Sequence, residues 1–185
     1  KPMESGVAQV REAQRRVTLR LKNTGLATAI DLGESNDIHP LNKKDLAHRC
    51  VLQMNRLAFN KTDQVAEGPM VEKAELKGNG QIIISFMKGT GSLKQAKVLE
   101  GIAVSGKDGK YKFVEAYTEG NQIIVKWNGL EEPTSIRYAW ENNPPSSIYT
   151  PDGSHHTYTF CSIFCSECPR PVPAVYGSDP VWNFT

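Results

Sequence analysis

The sequence predicts a two-part chain, an α/β portion followed by an all-β antiparallel portion, and three observations carry that prediction. Apolar residues recur every three to four positions up to about residue 60, and every second position after Gly68-Pro69. A mostly apolar run, Leu26 to Leu32, separates the two helix-like stretches. Short β-like runs then alternate with turn residues roughly every ten positions. The divisions fall at 1–67 for the α/β portion, 68–145 for the β-rich domain and 146–185 for an irregular tail rich in Pro and Cys.

Val7, Val10, Gln14 and Val17 mark one face of a first helix, with Gln14 its one polar member. Asn23-Thr24-Gly25 is a turn, and Leu26 to Leu32 has the composition of a buried parallel strand. Gly33 to Pro40 is then a loop at the carboxyl end of that strand. Asn42, with Asp45 three residues on, caps a second helix from about Lys43 to Ala58, whose face carries Leu46, Cys50, Met54 and Leu57. Gln81 to Phe86, Gly101 to Ser105, Tyr111 to Ala116, Asn121 to Trp127 and Ser135 to Trp140 alternate as strands do. Turn chemistry separates them, including Lys-Asp-Gly-Lys and Glu-Gly-Asn, as in an antiparallel sandwich. From Ser146 the period is lost, and eight of the eleven prolines lie at or beyond Pro133, so a surface-draped tail is expected.

Twenty-two Lys and Arg stand against twenty Asp and Glu, with no basic block, so no nucleic-acid partner is expected. No apolar run approaches the ~18 residues of a membrane span. The first residues do not lead into a signal-peptide core, but the chain does not begin with Met, so this says nothing about export. Cys161, Cys165 and Cys168 are spaced like half a zinc site, with His155 and His156 the nearest imidazoles. Tetrahedral zinc needs four ligands, and thiols or a local disulfide in the tail are favoured over a metal.

The informative segment is Ile30-Asp31-Leu32-Gly33-Glu34-Ser35-Asn36-Asp37-Ile38-His39-Pro40. Sites in open α/β sheets lie beyond the carboxyl ends of strands, and His39 stands just there, before a helix. A carboxylate beside it would fix its tautomer, as in a Ser-His-Asp triad, and Pro40 restrains its backbone. A lone loop histidine is nevertheless more often structural than catalytic.

Arg11-Glu12-Ala13-Gln14, Asn23-Thr24-Gly25, Asp31-Leu32-Gly33-Glu34, Asn36-Asp37-Ile38-His39-Pro40 with Asn42-Lys43-Lys44, then Ile136-Arg137-Tyr138-Ala139-Trp140 and Asn143-Pro144, follow one another along the chain. In that order they resemble the sialate O-acetylesterases, carbohydrate esterases of the SGNH hydrolase superfamily, over roughly residues 8 to 150. The resemblance implies the C-terminal part of an SGNH three-layer α/β domain followed by an antiparallel β-sandwich-like domain. It implies removal of O-acetyl groups from sialic acid or related sugars through an acyl-serine intermediate, with no metal or organic cofactor, in a secreted, periplasmic or lysosomal setting. His39 corresponds to the catalytic histidine. The superfamily's triad aspartate typically lies three residues before the histidine, where this chain has Asn36. Asp37 is therefore the expected orienting carboxylate, a backbone carbonyl the alternative, and Asp31 and Glu34 the less favoured substitutes.

The family's nucleophile block and its oxyanion-hole glycine and asparagine belong upstream of anything present. The expected partner is the N-terminal part of the same enzyme, carrying the nucleophilic serine. Gly33-Glu34-Ser35-Asn36 resembles another family block, but Ser35 lies four residues from His39 in the same loop and reads as coincidence. After Gly153 the likeness to the family ends. Without the upstream block the chain could equally be an inert fragment, a β-rich carbohydrate-binding or structural module, or an assembly subunit.

The other polar candidates read as structural first: His48 as a solvated helix residue, His155-His156 as a weak metal signal. Trp127, Tyr138 and Trp140 could stack on sugar rings but are more often sheet packing. Arg11 and Gln14 could reach the site or brace the loop that carries His39.

Overall fold

The computed structural model describes residues 4–163 apart from 38, 79, 130, 131 and 146, and leaves the side chains of 161–163 undescribed. Among the described residues two helices precede eight strands. Helix α1, Gly6–Arg20, starts at Ser5, whose hydroxyl accepts the Ala8 N–H. Helix α2, Lys43–Phe59, starts at Asn42, whose carbonyl accepts the Asp45 N–H, and ends at Asn60 in the left-handed conformation.

The strands are β1 Val71–Lys77, β2 Gln81–Phe86, β3 Ile102–Ser105, β4 Lys112–Phe113, β5 Glu115–Glu119, β6 Gln122–Lys126, β7 Ser135–Tyr138 and β8 Phe160–Ile163. They form two four-stranded sheets, ordered β1-β2-β6-β5 and β4-β3-β7-β8, and every pairing is antiparallel. Alternation explains the core: Ile82, Ile84 and Phe86 point inward from β2, and Ile123 and Val125 from β6. They meet Ile102 and Val104 of β3, Ile136 and Tyr138 of β7 and Phe160 of β8 in one cluster, so the two sheets share a single core.

Four of the five expected strands are present, the run Tyr111 to Ala116 is divided into β4 and β5 of different sheets, and β1 and β8 are added. β1 is a charged edge strand with little inward apolar content, so its sequence does not alternate visibly. β8 lies in the stretch expected as an irregular tail. There Ile148, Tyr158 and Phe160 are buried, and a hairpin closes through Thr157 N–H to Ile148 O and Thr150 N–H to His155 O, both 2.9 Å.

Three expectations for the first 60 residues are corrected. Leu26 to Leu32 is not a strand: it runs extended and turns at Ile30–Leu32, where Leu32 N–H reaches Ala29 O. Among the described residues it joins no sheet, since no neighbouring strand lies alongside. The valine stripe of α1 does not face the core either. Val7, Val10 and Val17 are exposed, while Ala8, Glu12 and Arg15 are buried. On α2, Cys50, Met54 and Leu57 are exposed, and Arg49, Leu52 and Gln53 are buried. Both helices lay a polar face on the rest of the chain, held by directed hydrogen bonds.

Candidate functional site

The loop after the extended segment returns on itself, with Asp37 N–H bonded to Glu34 O at 3.4 Å. Asp37 Oδ1 accepts the backbone N–H of His39 at 2.8 Å and lies 3.4 Å from His39 Nδ1. The expected pair is thus brought together, although the ring contact is longer than the ~2.9 Å of a formed hydrogen bond. The imidazole side chain is 82% exposed and the carboxylate 49%, so water reaches both. The other candidates of this loop, Glu34 and Ser35, are also exposed.

Asp31 has a different task. Its two carboxylate oxygens accept Nη1 and Nη2 of Arg49 at 2.7 and 2.8 Å, and both side chains are buried. Burial alone would raise the Asp31 carboxyl, but the Arg49 fork holds it below the usual range, and the same pair raises Arg49 against its own burial. Arg49 also donates to Thr28 O at 2.6 Å and Ser154 O at 3.1 Å. One guanidinium therefore joins α2, the extended segment and the 148–157 hairpin. Gln53, one turn on, donates to Leu26 O and Ala66 O, and the Tyr158 hydroxyl donates to Leu26 O. These bonds hold both roots of the loop that carries His39. A carboxylate committed to this fork cannot orient an imidazole.

Next to the fork lies His156, fully buried. Its Nε2 is 2.9 Å from the Tyr138 hydroxyl, which already accepts the N–H groups of Ser147 and Ile148. The hydroxyl proton must then point at Nε2, which leaves the imidazole proton on Nδ1. Burial pushes His156 down to about 4, with Asp31 opposing, and raises Tyr138 to about 12. Gly68 closes the same joint: a Cβ there would stand 2.2 Å from His156 O.

Arg11 lines, with Gly33 and Glu34 at the start of the His39 loop, a cavity beside α1, but it spends its hydrogen bonds elsewhere. Its guanidinium donates to Ala139 O, Glu141 O and Thr159 Oγ1, fastening α1 to the end of β7. Gln14 lines a cavity of about 330 Å³ with Ile30, Gly33 and Glu34. His48 is exposed, and Tyr138 is a core residue, as expected of them. Among the described residues no three His, Cys, Asp or Glu side chains are grouped to hold a metal, and Cys165 and Cys168 lie outside those residues. Sequence reasoning missed Arg49, and saw His156 only as half of a weak pair. The signal for Arg49 was a polar stripe one turn long, Arg49 and Gln53, beside the apolar face of α2.

No family model matches the chain. It is 25% identical over 162 residues to the sialate O-acetylesterase of Mus musculus, a match that covers 83% of this chain and 28% of that protein. The crystal structure of a carbohydrate acetylesterase from Xanthomonas citri superimposes with a TM-score of 0.73 at 28% identity, over 80% of this chain and 34% of that one. The chain spans about a third or less of the length of either relative. Over most of its length, in both sequence and fold, it is similar to a portion of a carbohydrate acetylesterase of the sialate O-acetylesterase kind.

Proposed function

We propose that this chain is the C-terminal portion of a serine-type carbohydrate esterase that removes O-acetyl groups from sialic acid or related sugars. In this reading residues 1–67 complete an SGNH α/β domain, the β-sandwich-like accessory domain runs from residue 68 past the expected boundary at 145 to include β8, and the nucleophilic serine comes from the N-terminal part of the same enzyme. His39 is the base and acid, and Asp37 orients it. The observation that carries the reading is the Asp37–His39 pair on a loop whose two roots are braced by the buried Asp31–Arg49 fork, in a chain similar to acetylesterases.

The chemistry follows from the two nitrogens of the ring. Nδ1–H faces Asp37 Oδ1, which leaves Nε2 to accept the serine proton as the serine oxygen attacks the acetyl carbon. Collapse of the tetrahedral adduct expels the sugar oxygen, which takes that proton from Nε2. Water, deprotonated at the same nitrogen, then cleaves the acyl-serine and releases acetate. Oxyanion donors come from the upstream part. An imidazole that is 82% exposed is poorly placed to work as it stands, and a covering layer would exclude water and draw the 3.4 Å contact shorter.

The exposed helix faces support that layer. Val7, Val10 and Val17 of α1 and Val51, Met54, Leu57 and Phe59 of α2 are 37–61% exposed, a seat for the missing half of an α/β sheet. A secreted, periplasmic or lysosomal setting fits such a substrate.

The test is acetate release from O-acetylated sialic acid, and p-nitrophenol release from its acetate ester, by the chain, by its full-length parent and by the parent with His39→Ala. Activity in the unmodified parent only is expected. Robust turnover by the isolated chain would overturn the division of roles, and full activity in His39→Ala would overturn the assignment of the base.

A further inference from the structure

The outer face of the β4-β3-β7-β8 sheet carries a second cavity, of about 250 Å³, whose described lining includes no residue of the His39 loop and shares Pro144 with the cavity that Gln14 lines. Strand alternation builds it. Ile136 and Tyr138 point into the core, so Arg137 between them points out. Ala103 is paired with Arg137 on one side and Phe113 on the other, and Ile102 and Val104 put it on the same outer face. A small residue between two large ones leaves a hollow, and Tyr111, Trp140, Lys110 and Glu4 complete its lining.

The Arg137 guanidinium carbon lies 3.9 Å from the Tyr111 ring centroid and 4.6 Å from that of Trp140. Two aromatic rings thus pack against the guanidinium, which presents its N–H groups to a carboxylate along its edge. Nη1 holds the Glu4 carboxylate at 2.7 Å. Glu4 is itself 68% exposed and comes from the segment before α1, whereas Arg137 is 16% exposed. The cavity thus binds a carboxylate already, supplied by an exposed side chain that a soluble acid can replace. Among the described lining residues Lys110 and Arg137 are balanced by Glu4 and Glu141, so displacing Glu4 favours a replacement anion there.

Phe113, 46% exposed, and the indole of Trp140 give the same hollow an apolar surface suited to the C–H face of a sugar ring. Its volume is just under the ~300 Å³ at which ligand pockets begin, room for one ring and not a chain of them. We propose that this hollow binds a single pyranose bearing a carboxylate, which displaces Glu4 from Arg137 and stacks against Phe113 and Trp140. The site is independent of the esterase chemistry proposed for His39.

The test titrates the purified 185-residue chain with methyl β-glucuronide, with its uncharged methyl ester and with benzoate, following the Trp140 indole N–H and Arg137 Nε–H by ¹H–¹⁵N NMR. The glucuronide should shift both signals and bind at least fivefold more tightly than its ester. Glu4→Gln should tighten the glucuronide severalfold and leave the ester unchanged. Arg137→Gln should abolish the preference. Because Glu4 is exposed, its replacement does not burden the fold, and that variant decides the matter even if Arg137→Gln misfolds. Equal binding of acid and ester, or an unchanged affinity in Glu4→Gln, would overturn the carboxylate site. Benzoate binding as tightly as glucuronide would overturn the sugar. His39→Ala should bind glucuronide like the parent chain, so loss of the esterase reading and loss of this site are read separately.

Discussion

Among single residues, Arg49 carries the most structure per side chain. It supplies both halves of a buried fork and two bonds to backbone carbonyls, and removing it strands the Asp31 carboxylate away from water. Truncating one partner of a buried pair typically costs about 3–5 kcal/mol, mostly the penalty of the orphaned charge. Arg49→Ala should lower the stability of the chain by that amount in urea denaturation. Asp31→Asn, which keeps an acceptor for one guanidinium nitrogen, should cost less. Equal and small losses in both would mean that the fork is loose in solution. The exposed pair behaves differently, because Asp37 and His39 hold little of the fold. His39→Ala in the full-length parent should cut turnover by about 10²–10⁴-fold, the usual contribution of a general acid–base, with its melting temperature unchanged. Asp37→Asn should cost less, and an Asp37→Asn enzyme of full activity would return the orienting role to a backbone carbonyl.

At the scale of elements, the positions of both helices and the inner strands were legible in the sequence, but the surfaces they bury were not. The cap at Asn42 and a period near four fix where α1 and α2 lie. The apolar stripe says only which face seeks cover, and a reader of the sequence assumes that the cover lies in the same chain. Here the described residues do not provide it. The helices are held instead by Arg11, Arg49 and Gln53 through hydrogen bonds to backbone, a pairing that no periodicity reports. The extended run from Leu26 failed as a strand for a related reason, since a strand exists only when a neighbour accepts its ladder. The candidate site divides the same way: His39 and Asp37 were visible as a motif in a loop, while Asp31–Arg49 joins residues 18 apart and needed the fold. If the apolar faces are seats for an upstream layer, Val10→Lys should change the stability of the isolated chain by less than about 0.5 kcal/mol, as surface changes do. The same change should destabilise the full-length parent by a few kcal/mol, because it buries a charge. Equal effects in the two proteins would remove the helix faces as evidence for that layer.

For the molecule as a whole, the joint between the helices and the two sheets is a cluster of buried ionisable groups, and this sets how the fold responds to acid. His156 is sealed between Tyr138, Tyr149 and the Asp31–Arg49 fork, with buried His155 beside it. Burial lowers both imidazoles, and Arg49 pushes the same way while Asp31 opposes it. The folded His156 titrates near 4, below its ordinary 6.5. Between these two values the unfolded chain takes up a proton that the folded chain refuses, so stability falls as pH drops through 6.5 and this loss levels off near 4. A gap of that size is worth about 3 kcal/mol, a large part of the margin of an ordinary domain. Asp31 adds nothing in this window. Its carboxyl is held low in the fold, so its contribution is lost only below the usual carboxylate range. The urea midpoint should therefore decline steadily from pH 7 to pH 4.5. His156→Gln, which keeps a polar group within reach of the Tyr138 hydroxyl but cannot charge, should flatten that decline, and His155→Asn with His156→Gln should flatten it further. A wild-type midpoint independent of pH over this range, or a slope untouched by His156→Gln, would mean that the joint opens to water and admits the proton without unfolding. The roots of the His39 loop meet at this joint through Arg49, so a chain that loosens here at low pH should lose the geometry of the Asp37–His39 pair before its sheets come apart.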